Sequence, residues 1–318
     1  MIRAFLGIDV GSVTTKLVVI DEQANLLASL YTRTLGRPVA VVQTGLKEIA
    51  AQLNGNVQIM GAGVTGSARQ LIGRVIEADL VKNEITAHAV GATHCCRDVQ
   101  TVIEIGGQDS KVIILRNGIV TDFAMNTVCA AGTGSFLDQQ ANRLGIPIER
   151  FGELALKSKT PVRIAGRCTV FAESDMIHKQ QMGHSTEDIL YGLCQALARN
   201  FLNNLCLSKE LLPPIVFQGG VAANAGMVRA FEELTKTEII VPPHYDIMGA
   251  IGIAILTQER YQMVKKPSSF KGWAITEARY ETTSFECTGC SNLCEIVCIS
   301  QDGELIGRWG SRCNKWEL

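Results

Sequence analysis

Two cysteines stand where the chain changes from loop to helix. Asn126 to Asp138 reads NTVCAAGTGSFLD, with Cys129 directly before a run of alanine, glycine and threonine and a helical pattern from Ser135 through Leu144. Cys168, in AGRCTVFAESDMIHKQQ, also follows a glycine and precedes a helical pattern, with Glu173 and Asp175 in its early part. Exposed N–H groups and the positive end of a helix dipole stabilise a thiolate or an anionic cluster, so both thiols are well placed as metal ligands. A nucleophilic role for Cys129 is disfavoured, because no histidine or acid adjoins it in its motif to act as base. Cys194 and Cys206 fall within an amphipathic helix and read as core; the vicinal pair Cys95-Cys96, after a helix over Glu84 to His94, reads as packed.

The elements that must position such thiols are organised by a repeat. Ile8 onward reads IDVGSVTTKLVVIDE and Ile103 onward reads IEIGGQDSKVIILRN, aligned without a gap at an offset of 95 residues. Asp9 matches Glu104, Gly11 matches Gly106, and Lys16 matches Lys111. Each copy reads as a β-hairpin with a glycine-containing turn. Glycine beside serine, threonine or glutamine lets backbone N–H groups and hydroxyls converge on phosphate oxygens. An acid at the end of the first strand suits the water shell of Mg²⁺. Two such turns facing each other would clamp a triphosphate between lobes. A third segment, PIVFQGGVAANAGMVRAF from Pro214, reads as a strand, a Gly-Gly turn and a helix beginning near Ala222, a place where a base or ribose approaches the backbone closely.

Composition narrows the setting. The chain has 318 residues, 47% hydrophobic, a net charge of −1 and no apolar run long enough to span a bilayer. It reads as a two-lobed globular chain without reason to bind nucleic acid or membrane. Its first residues enter a strand instead of a secretory signal, which points to the cytoplasm. Eleven cysteines are then reduced thiols or metal ligands before they are disulfides.

As an ordered set, IDVGSVTTK, IEIGGQDSK, NTVCAAGTGSFLD, AGRCTVFAESDM and FQGGVAANAGMVRAF closely resembles the ATP-dependent activators of (R)-2-hydroxyacyl-CoA dehydratases and the related ATPase subunits of benzoyl-CoA reductase, over about Ile2 to Thr257. The resemblance implies an α/β, actin-like (Hsp70- and sugar-kinase-like) ATPase with two duplicated lobes. Lobe I would cover 1–92 with 246–264 returning to it, lobe II 93–245, and a linker and Cys-rich tail 265–318. Asp9 would position Mg²⁺, while Gly11, Ser12, Thr14, Thr15 and Lys16 would cradle the phosphates of ATP. Gly106, Gly107, Gln108 and Asp109 would form the second phosphate turn, with Glu104, Gln108 and Asp109 as unranked candidates for orienting the attacking water. Gly219, Gly220 and Asn224 would face adenosine. A [4Fe–4S] cluster normally takes four cysteines, and two chains related by a C₂ axis presenting Cys129 and Cys168 each would complete one cluster per homodimer. The family uses ATP to drive a one-electron transfer from that cluster to a partner iron–sulfur dehydratase or reductase acting on an acyl-CoA, with a ferredoxin or flavodoxin-like donor upstream and lobe closure as the coupling motion.

The readings kept beside this one are an electron donor to a benzoyl-CoA-type reductase or double-cubane protein, a small-molecule kinase of the same superfamily, and a non-catalytic ATP-gated protein. Beyond Thr257 the match fades. Lys265 to Ser269, KKPSS, reads as a linker, and five cysteines crowd the last 32 residues. Their C-x₂-C-x₃-C-x₃-C spacing, with a later cysteine, resembles a segment found in longer fused activases. Cys287, Cys290, Cys294 and Cys313 are the expected ligands of zinc or a second Fe–S cluster, with Cys298 spare on a strand.

Overall fold

A computed structural model of the chain describes residues 1–126, 130–166 and 168–318. It divides into two units, Met1–Gly91 with Gly249–Leu318, and Ala92–Met248. The first unit begins with β1 (Ile2–Val10), β2 (Thr14–Asp21) and β3 (Leu26–Arg33), followed by α1 (Pro38–Gln52), β4 (Val57–Thr65), α2 (Arg69–Ile76), β5 (Leu80–Val81) and α3 (Glu84–Cys95). Its sheet has the order β3-β2-β1-β4-β5. The first three strands pair antiparallel, while β4 and β5 add in parallel. A strand covered on both faces needs a near-continuous apolar run, and β1 is buried from Ala4 to Val10.

The second unit repeats this plan with β6 (Thr101–Ile105), β7 (Ser110–Arg116), β8 (Ile119–Asn126), α4 (Gly134–Leu144), α5 (Ile148–Ala155), α6 (Thr169–Gln181), α7 (Thr186–Leu205), β9 (Ile215–Gln218), α8 (Ala225–Thr235) and β10 (Ile239–Ile240). The order β10-β9-β6-β7-β8 is the first sheet's order again, strand for strand. This duplicated mixed α/β arrangement gives the two similar lobes that the repeated hairpins imply, and it is the actin-like architecture that the family resemblance implies. Its core joins Ile103, Ile105 and Phe217 of the sheet to Leu190, Leu197 and Phe201 of α7 and Phe231 of α8. Cys194 and Cys206 are part of that core, and burial pushes the Cys206 thiol up to about 12.

The chain returns to the first unit through α9 (Met248–Val264). The tail then forms β11 (Tyr280–Glu286), β12 (Glu295–Gln301) and β13 (Glu304–Trp309), an antiparallel three-stranded sheet. It is bound to the first unit. Ile275 and Ile299 are buried in the same core as Leu46, Ile72 and Val75, and Gln43 of α1 donates to the Ile275 and Ala278 carbonyls at 2.9 and 2.8 Å. The KKPSS segment is strapped down as well: the Ser268 hydroxyl and the Ser269 amide donate to Asp79 at 2.6 and 2.8 Å. Among the described residues, no helix is long and apolar enough to cross a membrane.

Candidate functional site

In the first unit, the register of β1 against β2 sets Asp9 opposite Lys16, whose Nζ donates to Asp9 Oδ2 at 3.1 Å. The connecting turn is closed by the Gly11 amide donating to the Thr14 carbonyl at 2.9 Å. Ser12 is exposed and Thr14 half-buried, so both can meet a ligand. Thr15 differs from its expected role. It is fully buried and paired with Thr34 at 2.9 Å, and Thr34 in turn donates to the Gly11 carbonyl at 2.8 Å. Thr15 therefore braces the turn from inside.

Two glycines that the repeat did not reveal keep space around Asp9. Gly66, just after β4, has φ +92°, and a Cβ there would fall 2.5 Å from the Val10 carbonyl oxygen and 2.6 Å from Asp9 Oδ1. On Gly249 it would fall 2.9 Å from Asp9 Oδ2 and 3.1 Å from His88 Nε2. The carboxylate sits in a cradle that side chains would fill, which suits a cation that keeps most of its water shell.

The second unit carries the same geometry. Glu104 stands opposite Lys111, whose Nζ donates to Glu104 Oε2 at 2.8 Å and lies 3.0 Å from Asp109 Oδ2. Two carboxylates around one buried ammonium offset the cost of removing that charge from water. The Gly106 amide closes the turn on the Asp109 carbonyl at 3.0 Å. Glu104 is buried, Asp109 half-buried and Gln108 exposed, so the three candidates for orienting water occupy different depths. Gly219, with φ +88°, stands after β9 as Gly66 stands after β4; its Cβ would fall 2.5 Å from the Ile105 carbonyl oxygen and 2.8 Å from Glu104 Oε1. Asn224 is occupied locally: it is the N-cap of α8, its Oδ1 accepting from the Met227 amide at 3.2 Å. The helix thus starts at Ala225, three residues later than its sequence suggests, because Gly220–Ala223 makes a 3₁₀ turn.

Cys129 lies outside the described residues. The turn after it, Ala130–Gly132, separates it from α4. The first amides of α4 have a partner already: Gly134 N–H donates to the Gly106 carbonyl at 2.8 Å and Ser135 N–H to the Gly107 carbonyl at 2.9 Å. The helix N-terminus therefore grips the Gly106–Gly107 turn. Cys168 is the half-buried N-cap of α6, and its side chain makes no capping bond. Helices α4 and α6 are joined by Glu173, which accepts from Gln139 at 3.2 Å and pairs with Arg143. Asn200, on α7, donates from Nδ2 to the Gly166 carbonyl at 2.5 Å and accepts at Oδ1 from Asn204 at 3.0 Å; a Cβ on Gly132 would fall 3.0 Å from that oxygen.

Residues 6–257 match the model of the BadF/BadG/BcrA/BcrD ATPase family. The chain belongs to that family. Among its relatives, the (R)-2-hydroxyglutaryl-CoA dehydratase activating ATPase of Acidaminococcus fermentans is 35% identical over 256 residues, which cover 80% of this chain and 97% of that protein. The solved activator of the 2-hydroxyisocaproyl-CoA dehydratase from Clostridium difficile, with bound ADPNP, is similar at a TM-score of 0.74 and 31% identity, over 82% of this chain and 97% of that one. An uncharacterized protein of Methanocaldococcus jannaschii is 33% identical over 267 residues, covering 82% of this chain; the chain spans 64% of its length. Membership makes this chain an ATPase.

Proposed function

We propose that this ATPase is an activator that delivers single low-potential electrons to an (R)-2-hydroxyacyl-CoA dehydratase. Three relatives that share about four fifths of the chain are named as activators of 2-hydroxyglutaryl-CoA, 2-hydroxyisocaproyl-CoA and lactoyl-CoA dehydratases. The observation that carries the reading is the pair of bonds from α4 to the Gly106 and Gly107 carbonyls. Through them, a change in the phosphate turn is transmitted to the helix that follows Cys129. Asp9 would hold Mg²⁺ through water, Gly11, Ser12, Thr14 and Lys16 would bind phosphate oxygens in the first turn, and Gly106 and Gly107 would do so in the second. Gly219 and Gly220 would let adenosine approach the backbone. Glu104, Gln108 and Asp109 would orient the attacking water, a task of positioning more than proton transfer.

The donor set suits an iron–sulfur cluster. Cys168, half-buried, stands at the N-terminus of α6 in a loop held by Asn200 through the Gly166 carbonyl. Two such sulfurs per chain make a complete set in a homodimer, and Val170 and Phe171, in the first turn of the helix that Cys168 caps, expose apolar surface at 67% and 68%, as an interface requires. Such a cluster, when bound, supplies a one-electron carrier. A ferredoxin or flavodoxin-like protein would refill it. The test is Cys168→Ser, prepared without oxygen: ATP hydrolysis should persist while ATP-dependent activation of a 2-hydroxyacyl-CoA dehydratase falls to background. Full activation by this variant would overturn the assignment.

A further inference from the structure

The tail lies beyond the family's residues 6–257, and its cysteines need their own account. Strands β11 and β13 run in one direction and β12 in the other. The segment joining β11 to β12 and the segment after β13 therefore emerge at the same end of the sheet. The first carries Cys287, Cys290 and Cys294; the second carries Cys313. Cys298 is placed elsewhere, within β12 opposite Thr283 and Arg308.

The backbone folds these segments together. The Cys287 amide donates to the Cys294 carbonyl at 2.8 Å, and the Leu293 amide to the Cys290 carbonyl at 3.3 Å. Arg312 reaches Asn292 at 3.5 Å, joining the Cys313 segment to the Cys290–Cys294 loop. Gly310, with φ +112°, crosses so near Glu295 that a Cβ would fall 2.4 Å from its carbonyl oxygen.

The sulfur of Cys287 is buried and accepts from Trp316 Nε1 at 3.2 Å, with the Gly289 amide also bonded to it and Lys315 beside it. The side chains have not converged: among the described residues, no three histidine, cysteine, aspartate or glutamate side chains gather as a ligand set. Cys290 and Cys313 are exposed and Cys294 is half-buried.

We propose that Cys287, Cys290, Cys294 and Cys313 close around one thiophilic divalent ion, of which Zn²⁺ is the type, at this end of the tail sheet. Cys287 and Cys294 are cross-strand neighbours, at ~5 Å between Cα atoms, and metal–sulfur bonds of ~2.3 Å can bridge them without moving the strands. Each thiol that binds loses its proton to solvent, so uptake releases protons and weakens at low pH. Because the tail shares a core with α1 and α2, the ion would fix the mount of the tail on the ATPase unit.

The experiment titrates Zn²⁺ and Co²⁺ separately into the reduced, full-length protein stripped of metal, following cobalt thiolate absorption and thiol alkylation by mass spectrometry. The expected result is one ion per chain, with tetrahedral Co²⁺ spectra and protection of Cys290 and Cys313 from alkylation. Cys313→Ser should weaken binding at least tenfold, and Cys298→Ser should leave it unchanged. Cys129→Ser with Cys168→Ser should also leave it unchanged, which separates this site from the proposed shared cluster. Absence of stoichiometric binding, equal dependence on Cys298, or inorganic sulfide matching tail-bound iron in the purified protein would overturn the proposal.

Discussion

Gly66 and Gly219 each face a carboxylate that ends the first strand of its unit, Asp9 in one and Glu104 in the other. Their left-handed backbone is accessible to glycine at little cost, while an alanine would be both strained and in collision with a carbonyl oxygen. Gly66→Ala should therefore cost about 1–3 kcal/mol in stability and, if Asp9 holds Mg²⁺ as proposed, lower ATP hydrolysis by at least about tenfold, since ~1.4 kcal/mol is tenfold in rate. Gly36→Ala is the control: Gly36 has φ +67° with no atom within 4 Å of its would-be Cβ, so it should be strained yet hydrolyse ATP normally. Steady-state hydrolysis beside thermal melts distinguishes the two effects, and equal activities would remove Gly66 from the site. Asp9, Lys16, Glu104 and Lys111 were legible in the sequence because the hairpin repeat aligns them. Gly66 and Gly219 were not paired, because Thr65-Gly66 and Gln218-Gly219 share only a glycine and their equivalence rests on strand order.

At the scale of elements, α7 holds much of the second unit's loop structure. Asp188 in its first turn accepts the Ser158 hydroxyl at 2.7 Å, the Lys159 and Thr160 amides at 3.0 and 2.8 Å, and the Thr160 and Ser185 hydroxyls at 3.0 and 2.8 Å. These donors, Ser158 first, hold its carboxyl well below the usual carboxylate range. The folded pKa lies below the unfolded value of ~3.9, so the stabilisation is present above about pH 4 and is lost as pH falls toward the folded pKa. Asp188→Asn should cost about 1–3 kcal/mol at pH 7 and flatten the loss of stability below about pH 4. Urea midpoints measured from pH 7 downward test this; parallel curves for both proteins would contradict it.

The hairpins β1–β2 and β6–β7 were readable because strand pattern and turn chemistry are local. The start of α8 was displaced because the Gly-Gly turn continues as a 3₁₀ turn before the Asn224 cap. The partnership of α4 with the Gly106 and Gly107 carbonyls was not readable at all. It joins groups 28 residues apart, chiefly through backbone amides, with the Ser135 hydroxyl also donating to the Gly107 carbonyl.

At the scale of the whole molecule, the chain is an ATPase whose second unit bonds the Gly106–Gly107 turn to the start of α4, and α4 to α6 through Glu173. The tail, which KKPSS suggested would hang from a linker, is built into the first unit through Asp79, Gln43 and a shared core. Its docking depends on contacts more than 180 residues apart, beyond the reach of any local motif. The central claim is that nucleotide state acts on an iron–sulfur centre. The direct measurement is electron paramagnetic resonance of the dithionite-reduced protein, without nucleotide, with MgADP and with Mg²⁺ and a non-hydrolysable ATP analogue, beside Cys168→Ser. The account predicts a cluster signal in the unsubstituted protein whose line shape or potential changes between nucleotide states, and its loss in the variant. A metal-free protein after oxygen-free reconstitution, or a cluster signal indifferent to nucleotide and to Cys168, would contradict it.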